Sequence, residues 1–421
     1  MKVKLAYGDG SLEIDLPDGQ TTVITPIEQA GLADEAGSFR AALDAPIGTG
    51  PLRDRVGRGG SVCIVFTDIT RATPNERIIP WLLAYLRECG VRPDQVTLLN
   101  ALGTHRPNTP EELSRLLTPE VIRDYRVLNH EPENPDALVS VGMTSSGAPA
   151  LLNRHLVEAD VRLISGFIEP HFFAGFSGGP KGIMPGVAGM ETVIGNHGRR
   201  NIGSPNAAFG ITEGNPLWEE MRDIALRAGP SFLVNVTLNE TRAITGIFAG
   251  DLIAAHKQGI EFVRKSAMQP VRELFDIVIT TNSGYPLDQN LYQSVKGMSA
   301  GARIVKKGGA IIIAAECRAG FPDGSPFHQL MARAKDPENI LALIARETFP
   351  EQWQSQVQAL IQRKASVFVH SSMPDEAIRA AHLLPAPDIS SIVAKLQSAH
   401  AHPLRIAVLP QGPLTIPYLA Q

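Results

Sequence analysis

The sequence predicts an α/β protein of two domains, each with a mostly parallel sheet flanked by helices. Three observations lead there. Short runs of β-branched apolar residues alternate with longer stretches of helical periodicity. The length, 421 residues, exceeds what one ordinary domain holds. A second series of strand-like runs begins near residue 271, after a break in pattern at Met268–Gln269–Pro270. The expected domains are therefore 1–270 and 271–421, with the site in the cleft between them.

The first sixteen residues, MKVKLAYGDGSLEIDL, alternate apolar and polar positions as a strand does, and lack the continuous apolar core of a signal peptide. Residues 61–67 (SVCIVFT) read as a buried strand, being apolar, compact and free of Pro and Gly. A helix follows, with Thr73 as its cap, Pro74 in the first turn and Glu76 as a capping-box acid. Ile78, Ile79, Leu82, Leu83 and Leu86 form its apolar stripe; Pro80 should kink or delay it, and Gly90 should end it. Residues 96–102 (VTLLNAL) form the next strand, and Thr109–Pro110–Glu111–Glu112 opens the next helix. Residues 161–167 (VRLISGF) are the third strand of this series. The second series comprises 276–282, 310–315, 366–370 and 405–409, with Asp388 capping a helix that carries Ile389, Ile392, Val393 and Leu396.

Composition narrows the function. Hydrophobic residues make up 43% and charged residues 19%, an ordinary globular balance. The net charge is −4 without a long run of one sign, which argues against nucleic acid or an anionic membrane as partner. Cys63, Cys89 and Cys317 are far apart and form no C-x-x-C pair, as expected of reduced thiols in a cytoplasmic protein. No stretch is long and apolar enough to span a bilayer.

Three polar clusters follow three predicted strands: Asp68 to Arg71, Gly103-Thr-His105-Arg106, and Glu169-Pro-His171. Ligands collect outside the carboxyl ends of strands in open α/β sheets, so three such clusters suggest one shared site. After His171 comes FFAGFSGGPKGIMPGVAG (172–189), whose glycines at 175, 178, 179, 182, 186 and 189 permit close backbone approaches. Exposed N–H groups in such a loop can form an anion nest beside Lys181, and a phosphate-bearing ligand is the natural expectation. A tight structural turn explains the glycines equally well, and the segment is not a P-loop, because G-x-x-x-x-G-K-[ST] is absent. His197 has no second His or Cys at zinc-type spacing, so a metal there would draw other ligands from elsewhere, including from a cofactor. In 288–298 (DQNLYQSVKGM) the spacing is helical: Leu291, Val295 and Met298 pack inward, while Gln289, Gln293 and Lys296 share a polar face that suits a small carboxylate. Taken singly, each of these positions has an ordinary explanation as a cap, a salt-bridge partner or a solvated helix face.

Together, these residues resemble the lactate racemase family over essentially the whole chain. The resemblance implies a nickel-pincer nucleotide cofactor (pyridinium-3-thioamide-5-thiocarboxylic acid mononucleotide with Ni(II)), and with it proteins that synthesise and deliver that group. It places Asp68 and Arg71 in cofactor and substrate binding, His105 and His171 as the catalytic pair, Lys181 as the cofactor-bearing lysine, His197 as the nickel ligand, and Gln293 and Lys296 on the substrate. One departure is Ala72, where the family pattern has proline; it leaves Arg71 in place. The implied reaction inverts C2 of a 2-hydroxy acid by moving hydride to the pyridinium and back, with the two histidines alternating as acid and base. Two other classes compete: a carrier that keeps the cofactor site without turnover, which has no need of paired bases, and a nicotinamide-type 2-hydroxyacid dehydrogenase, which is disfavoured by the absence of a clear G-x-G-x-x-G. Which 2-hydroxy acid is used, and the oligomeric state, are not written in these motifs.

Overall fold

The computed structural model describes every residue except Gly57, Arg58, Asp323 and Gln421. Two six-stranded sheets organise it. The first has the spatial order Ile244–Asp251, Ser231–Leu238, Val161–Phe167, Val62–Thr67, Val96–Ala101, Arg126–Asn129. All neighbours are parallel except the Ser231–Leu238/Ile244–Asp251 hairpin. The chain starts in the middle at Val62–Thr67, winds outward to Arg126–Asn129, and returns on the other side through Val161–Phe167. That reversal is the topological switch point, where the loops at the strand ends diverge and leave a crevice. The three strands followed by polar clusters are consecutive neighbours across it.

The second sheet is parallel throughout, in the order Leu384–Pro385, Ser366–His370, Val305–Ala314, Phe275–Thr281, Ile406–Leu409, Thr21–Val23. Its switch point lies between Phe275–Thr281 and Ile406–Leu409. Among the described residues, no helix is long and apolar enough to cross a membrane.

The last strand of that sheet departs from the expected division into 1–270 and 271–421. Thr21–Val23 joins the second sheet, and the hairpin Lys2–Tyr7/Gly10–Asp15 packs Val3, Leu5 and Ile14 against Ile277, Ile279, Ile312 and Ile406. Alternation in MKVKLAY specifies a strand with one apolar face, but not which sheet offers the apolar surface to cover it. The chain thus crosses between the two bodies twice, around residues 24–34 and 268–271. These crossings touch: the Ile27 N–H donates to the Ser266 carbonyl at 2.9 Å. The expected boundary is itself structured, as Met268–Val271 pairs in parallel with Ile416–Leu419.

Local expectations fare unevenly. Thr109 and Glu112 form the expected capping box, and Asp388 accepts from the Ser391 N–H. Thr73 does not cap its helix: Asn75–Glu88 begins after Pro74 without a side-chain cap, its start tied down by Asn75 Nδ2 donating to the Thr67 carbonyl at 2.9 Å. The helix runs through Pro80, held by the buried stripe Ile78, Ile79, Leu82, Leu83 and Leu86. Proline removes one helical bond and crowds the preceding turn; the apolar face on either side outweighs that loss.

Helix Leu291–Ala302, which carries Gln293 and Lys296, lies directly on strand Phe275–Thr281. A Cβ on Gly297 would sit 2.2 Å from the Thr281 carbonyl oxygen. Gly297→Ala should therefore lower stability by about 1–3 kcal/mol through overpacking, read as a lower denaturant midpoint. An unchanged midpoint would show that the helix can move away from the strand freely.

Candidate active site

Asp68 ends the Val62–Thr67 strand and is fully buried. Its carboxylate accepts from Thr70 Oγ1 at 3.0 and 2.9 Å and lies 3.0 Å from His105 Nδ1, with Arg71 Nε at 3.9 Å. Burial pushes this carboxyl up, but the hydrogen bond from His105 and the charges of His105 and Arg71 outweigh it, so it stays below the usual carboxylate range. An ionised carboxylate can only accept, so His105 carries its proton on Nδ1 and leaves Nε2 free for chemistry. His105 follows strand Val96–Ala101, and its loop is anchored by the Gly103 N–H donating to the Gly186 carbonyl at 2.8 Å.

His171 sits in a two-residue ladder, Pro170–His171 against Gly175–Phe176, with its ring against Phe172 and Phe173 (centroids 5.2 and 4.5 Å). Burial, followed by the charges of Lys181, Lys296 and Arg71, depresses its imidazole well below the ordinary histidine range.

The glycine-rich segment differs from the open nest that its composition suggests. A Cβ at 179 would lie 2.3 Å from the His256 ring, at 178 2.4 Å from Asn235 Oδ1, and at 182 2.5 Å from Ile164 Cγ2. Gly178 and Gly179 also have φ of +75° and +55°. The Gly179 N–H is already donated to Asn235 Oδ1 at 2.8 Å. These glycines let the backbone lie flat on the sheet, and that contact aims Lys181 into the crevice. Its Nζ stands 5.6 Å from the Phe173 ring centroid. Burial, with Arg71 and Lys296 adding repulsion, lowers the Lys181 amine to about 7.

His197 ends helix Met190–Asn196, its ring edge-on to Phe173 and Trp353 at 5.3 and 5.0 Å. Its Nδ1 is buried without a hydrogen-bond partner. Burial lowers this imidazole to about 3, so it stays neutral.

The second sheet's side supplies helix Leu291–Ala302, capped by Asn290, whose side chain accepts from the Gln293 N–H at 3.0 Å. Gln293 and Lys296 occupy its first two turns, near the positive end of the helix. Burial and the Arg71 charge lower Lys296 to about 8. Among the described residues, neither Lys181 nor Lys296 has a carboxylate within salt-bridge distance.

Arg71, His105, His171, Lys181, His197, Gln293 and Lys296 thus line one cleft between the two sheets, and Asp68 stands directly behind His105. Sequence reasoning missed the aromatic wall. Trp353, on helix Gln352–Gln362, lines the cleft and donates from Nε1 to Tyr292 Oη at 3.2 Å. Gln354 and Gln356 fasten that helix to the Tyr292 carbonyl (2.6 Å) and, across the cleft, to the Arg199 carbonyl (2.8 Å). In QWQSQVQ glutamine recurs at every second position, which is neither a helical period nor a motif that marks a site.

With the geometry in place, the comparisons are specific. The family model for the lactate racemase N-terminal domain matches residues 7–210, and that for the lactate racemase C-terminal domain matches residues 271–416. A lactate racemase of Thermoanaerobacterium thermosaccharolyticum is 36% identical over 97% of each chain. One from Lactiplantibacillus plantarum is 34% identical over 95% of this chain and 98% of its own. The apoprotein structure of the former superposes with a TM-score of 0.92 at 35% identity, covering 99% of this chain and all of that one. A Thermotoga maritima protein at 20% identity and TM-score 0.69 shares the fold alone. The chain belongs to the lactate racemase family of isomerases.

Proposed function

We propose that this protein inverts the C2 centre of a 2-hydroxy acid, lactate or a close relative, using a nickel-pincer pyridinium nucleotide held by Lys181 and His197. The observation that carries the reading is the convergence of three imidazoles, His105, His171 and His197, and three cations on one cleft, where Asp68 is the one carboxylate within salt-bridge distance of them among the described residues. Such a site wants an anion whose neighbouring hydroxyl can lose a proton.

The residues fit the cofactor. The unpartnered, neutral nitrogen of His197 is a donor that a metal would satisfy. No group of three or more His, Cys, Asp or Glu gathers among the described residues, so further nickel donors would belong to the nucleotide. Lys181 has an amine that is neutral in good part near pH 7, able to attack a thioacid carbonyl. When bound, the group supplies a hydride acceptor, which spares the substrate a carbanion beside its carboxylate.

The chain does the rest. Arg71 and Lys296 hold the carboxylate, and Gln293 directs it through its amide. His105 Nε2 takes the hydroxyl proton as the C2 hydrogen departs, and Asp68 stabilises the imidazolium so formed. His171 serves the opposite face. A dehydrogenase reading loses ground here: residues 68–74 (DITRATP), which follow strand Val62–Thr67, contain no glycine, and the Asp68–His105 contact occupies that place.

Two outcomes test this. Because the Lys181 amine is shifted down to about 7, its neutral fraction should rise through neutral pH. Competitive labelling with an amine-acylating reagent should show a midpoint there, moving upward in Arg71→Gln as a repelling charge is removed; a midpoint near the ordinary lysine value would refute the proposed activation. For the reaction itself, the cofactor-loaded enzyme given a single enantiomer deuterated at C2 should return racemate with the label retained. His105→Gln and His171→Gln should each lower kcat by about 10²–10⁴. Loss of the label to water would mean proton abstraction from carbon instead of hydride transfer.

A further inference from the structure

Two of the three imidazoles that line the cleft, His105 and His171, are held by opposite kinds of partner. His105 Nδ1 meets the Asp68 carboxylate at 3.0 Å, which fixes the proton on Nδ1 and leaves Nε2 bare. His171 Nδ1 accepts from the backbone N–H of Ala174 at 3.2 Å. A backbone amide can only donate, so this Nδ1 carries the lone pair and the ring proton sits on Nε2. The contact is built into the turn that joins the Pro170–His171 and Gly175–Phe176 strands, in which His171 pairs with Gly175. The surroundings reinforce the contrast. His171 faces Lys181, Lys296 and Arg71 and two phenylalanine rings, with no carboxylate bonded to it. His105 has Asp68 at its back.

We propose that the catalytic pair is unequal at rest: His105 is ready to accept a hydroxyl proton at Nε2, whereas His171 presents Nε2–H and can become a base only when its ring turns over and releases Ala174. This rests on the reading of both histidines as acid and base given above. The enantiomer whose hydroxyl meets His105 loses its proton directly: the O–H bond breaks and an Nε2–H bond forms, while on the opposite face the His171 Nε2–H bond breaks as the product O–H bond forms, and the proton held on His105 returns to His171 through solvent. Its mirror image must wait for the His171 ring. Two enantiomers have equal free energy in water, so kcat/KM must be the same in both directions. The inequality therefore appears as kcat and KM that are both smaller for the enantiomer that starts at His171.

The direct test needs no cofactor. The apoprotein, labelled with ¹⁵N-histidine, is examined at mildly alkaline pH by two-bond ¹H–¹⁵N correlation, and the signals are assigned by their loss in His105→Gln and His171→Gln. The expected result is an Nδ1–H tautomer for His105 and an Nε2–H tautomer for His171. Asp68→Asn, which places a donor against Nδ1, should turn His105 to Nε2–H and leave His171 as it was. An Nδ1–H tautomer at His171, or the same tautomer at both rings in the unaltered protein, overturns the proposal. A protein with the expected tautomers that racemises no 2-hydroxy acid would overturn the proposed function and not this inequality.

Discussion

The site depends on the contact between residues 175–186 and the first sheet, where glycines leave no space for a side chain. Asn235 and His256 grip the backbone at Gly179 and Ser177, Ile164 fills the space over Gly182, and Gly186 holds the His105 loop through Gly103. From this one packed strip the hairpin presents His171 on one side, Lys181 projects from the middle, and the following helix ends in His197. Three functional side chains therefore share a single rigid base, and the fourth, His105, is tied to it by a backbone hydrogen bond. Side chains that share one packed base keep a fixed spacing, which is what catalysis by positioned groups requires.

Electrostatics give the site its appetite. Arg71, Lys181 and Lys296 stand in a cleft that disfavours charge, and the depressed amines of both lysines reflect burial first and the repulsion of like charges second. A bound carboxylate or phosphate relieves that repulsion, so anion binding and lysine protonation are coupled and strengthen each other. Burial first, and then the charge of Lys181 on both rings and of Lys296 and Arg71 on His171, favours the neutral imidazoles of His171 and His197. Asp68 is the local exception. Buried beside His105, its carboxylate fixes the proton of that ring on Nδ1.

The second body closes the cleft and depends on the N-terminus for its own completeness. Residues 2–23 cross over to it, and the two crossings are hydrogen-bonded to each other. On the far side of the cleft, Gln356 reaches the Arg199 carbonyl and Trp353 rests on His197. An aromatic wall thus lies against the candidate metal ligand, and the helix carrying Gln293 and Lys296 lines the same cleft.

Much of this was legible in the sequence. Apolar runs at 61–67, 96–102 and 161–167 are local facts of composition, and polar residues directly after a strand can hardly lie anywhere but at its end. The motifs Asp68 to Arg71, Glu169-Pro-His171 and Gly-Gly-Pro-Lys181 carried the family, because chemistry at a strand end needs particular residue types in short order. Tertiary structure decided what depends on partners distant in the chain. It sent MKVKLAY to the second sheet, made the glycines a packing surface, carried the helix through Pro80, and brought Trp353 to His197 across 156 positions. It also set the proton on each imidazole, since a carboxylate thirty-seven residues away and an amide three residues away impose opposite tautomers. A side chain's identity is written in the sequence; its hydrogen-bond partner exists only once the chain has folded.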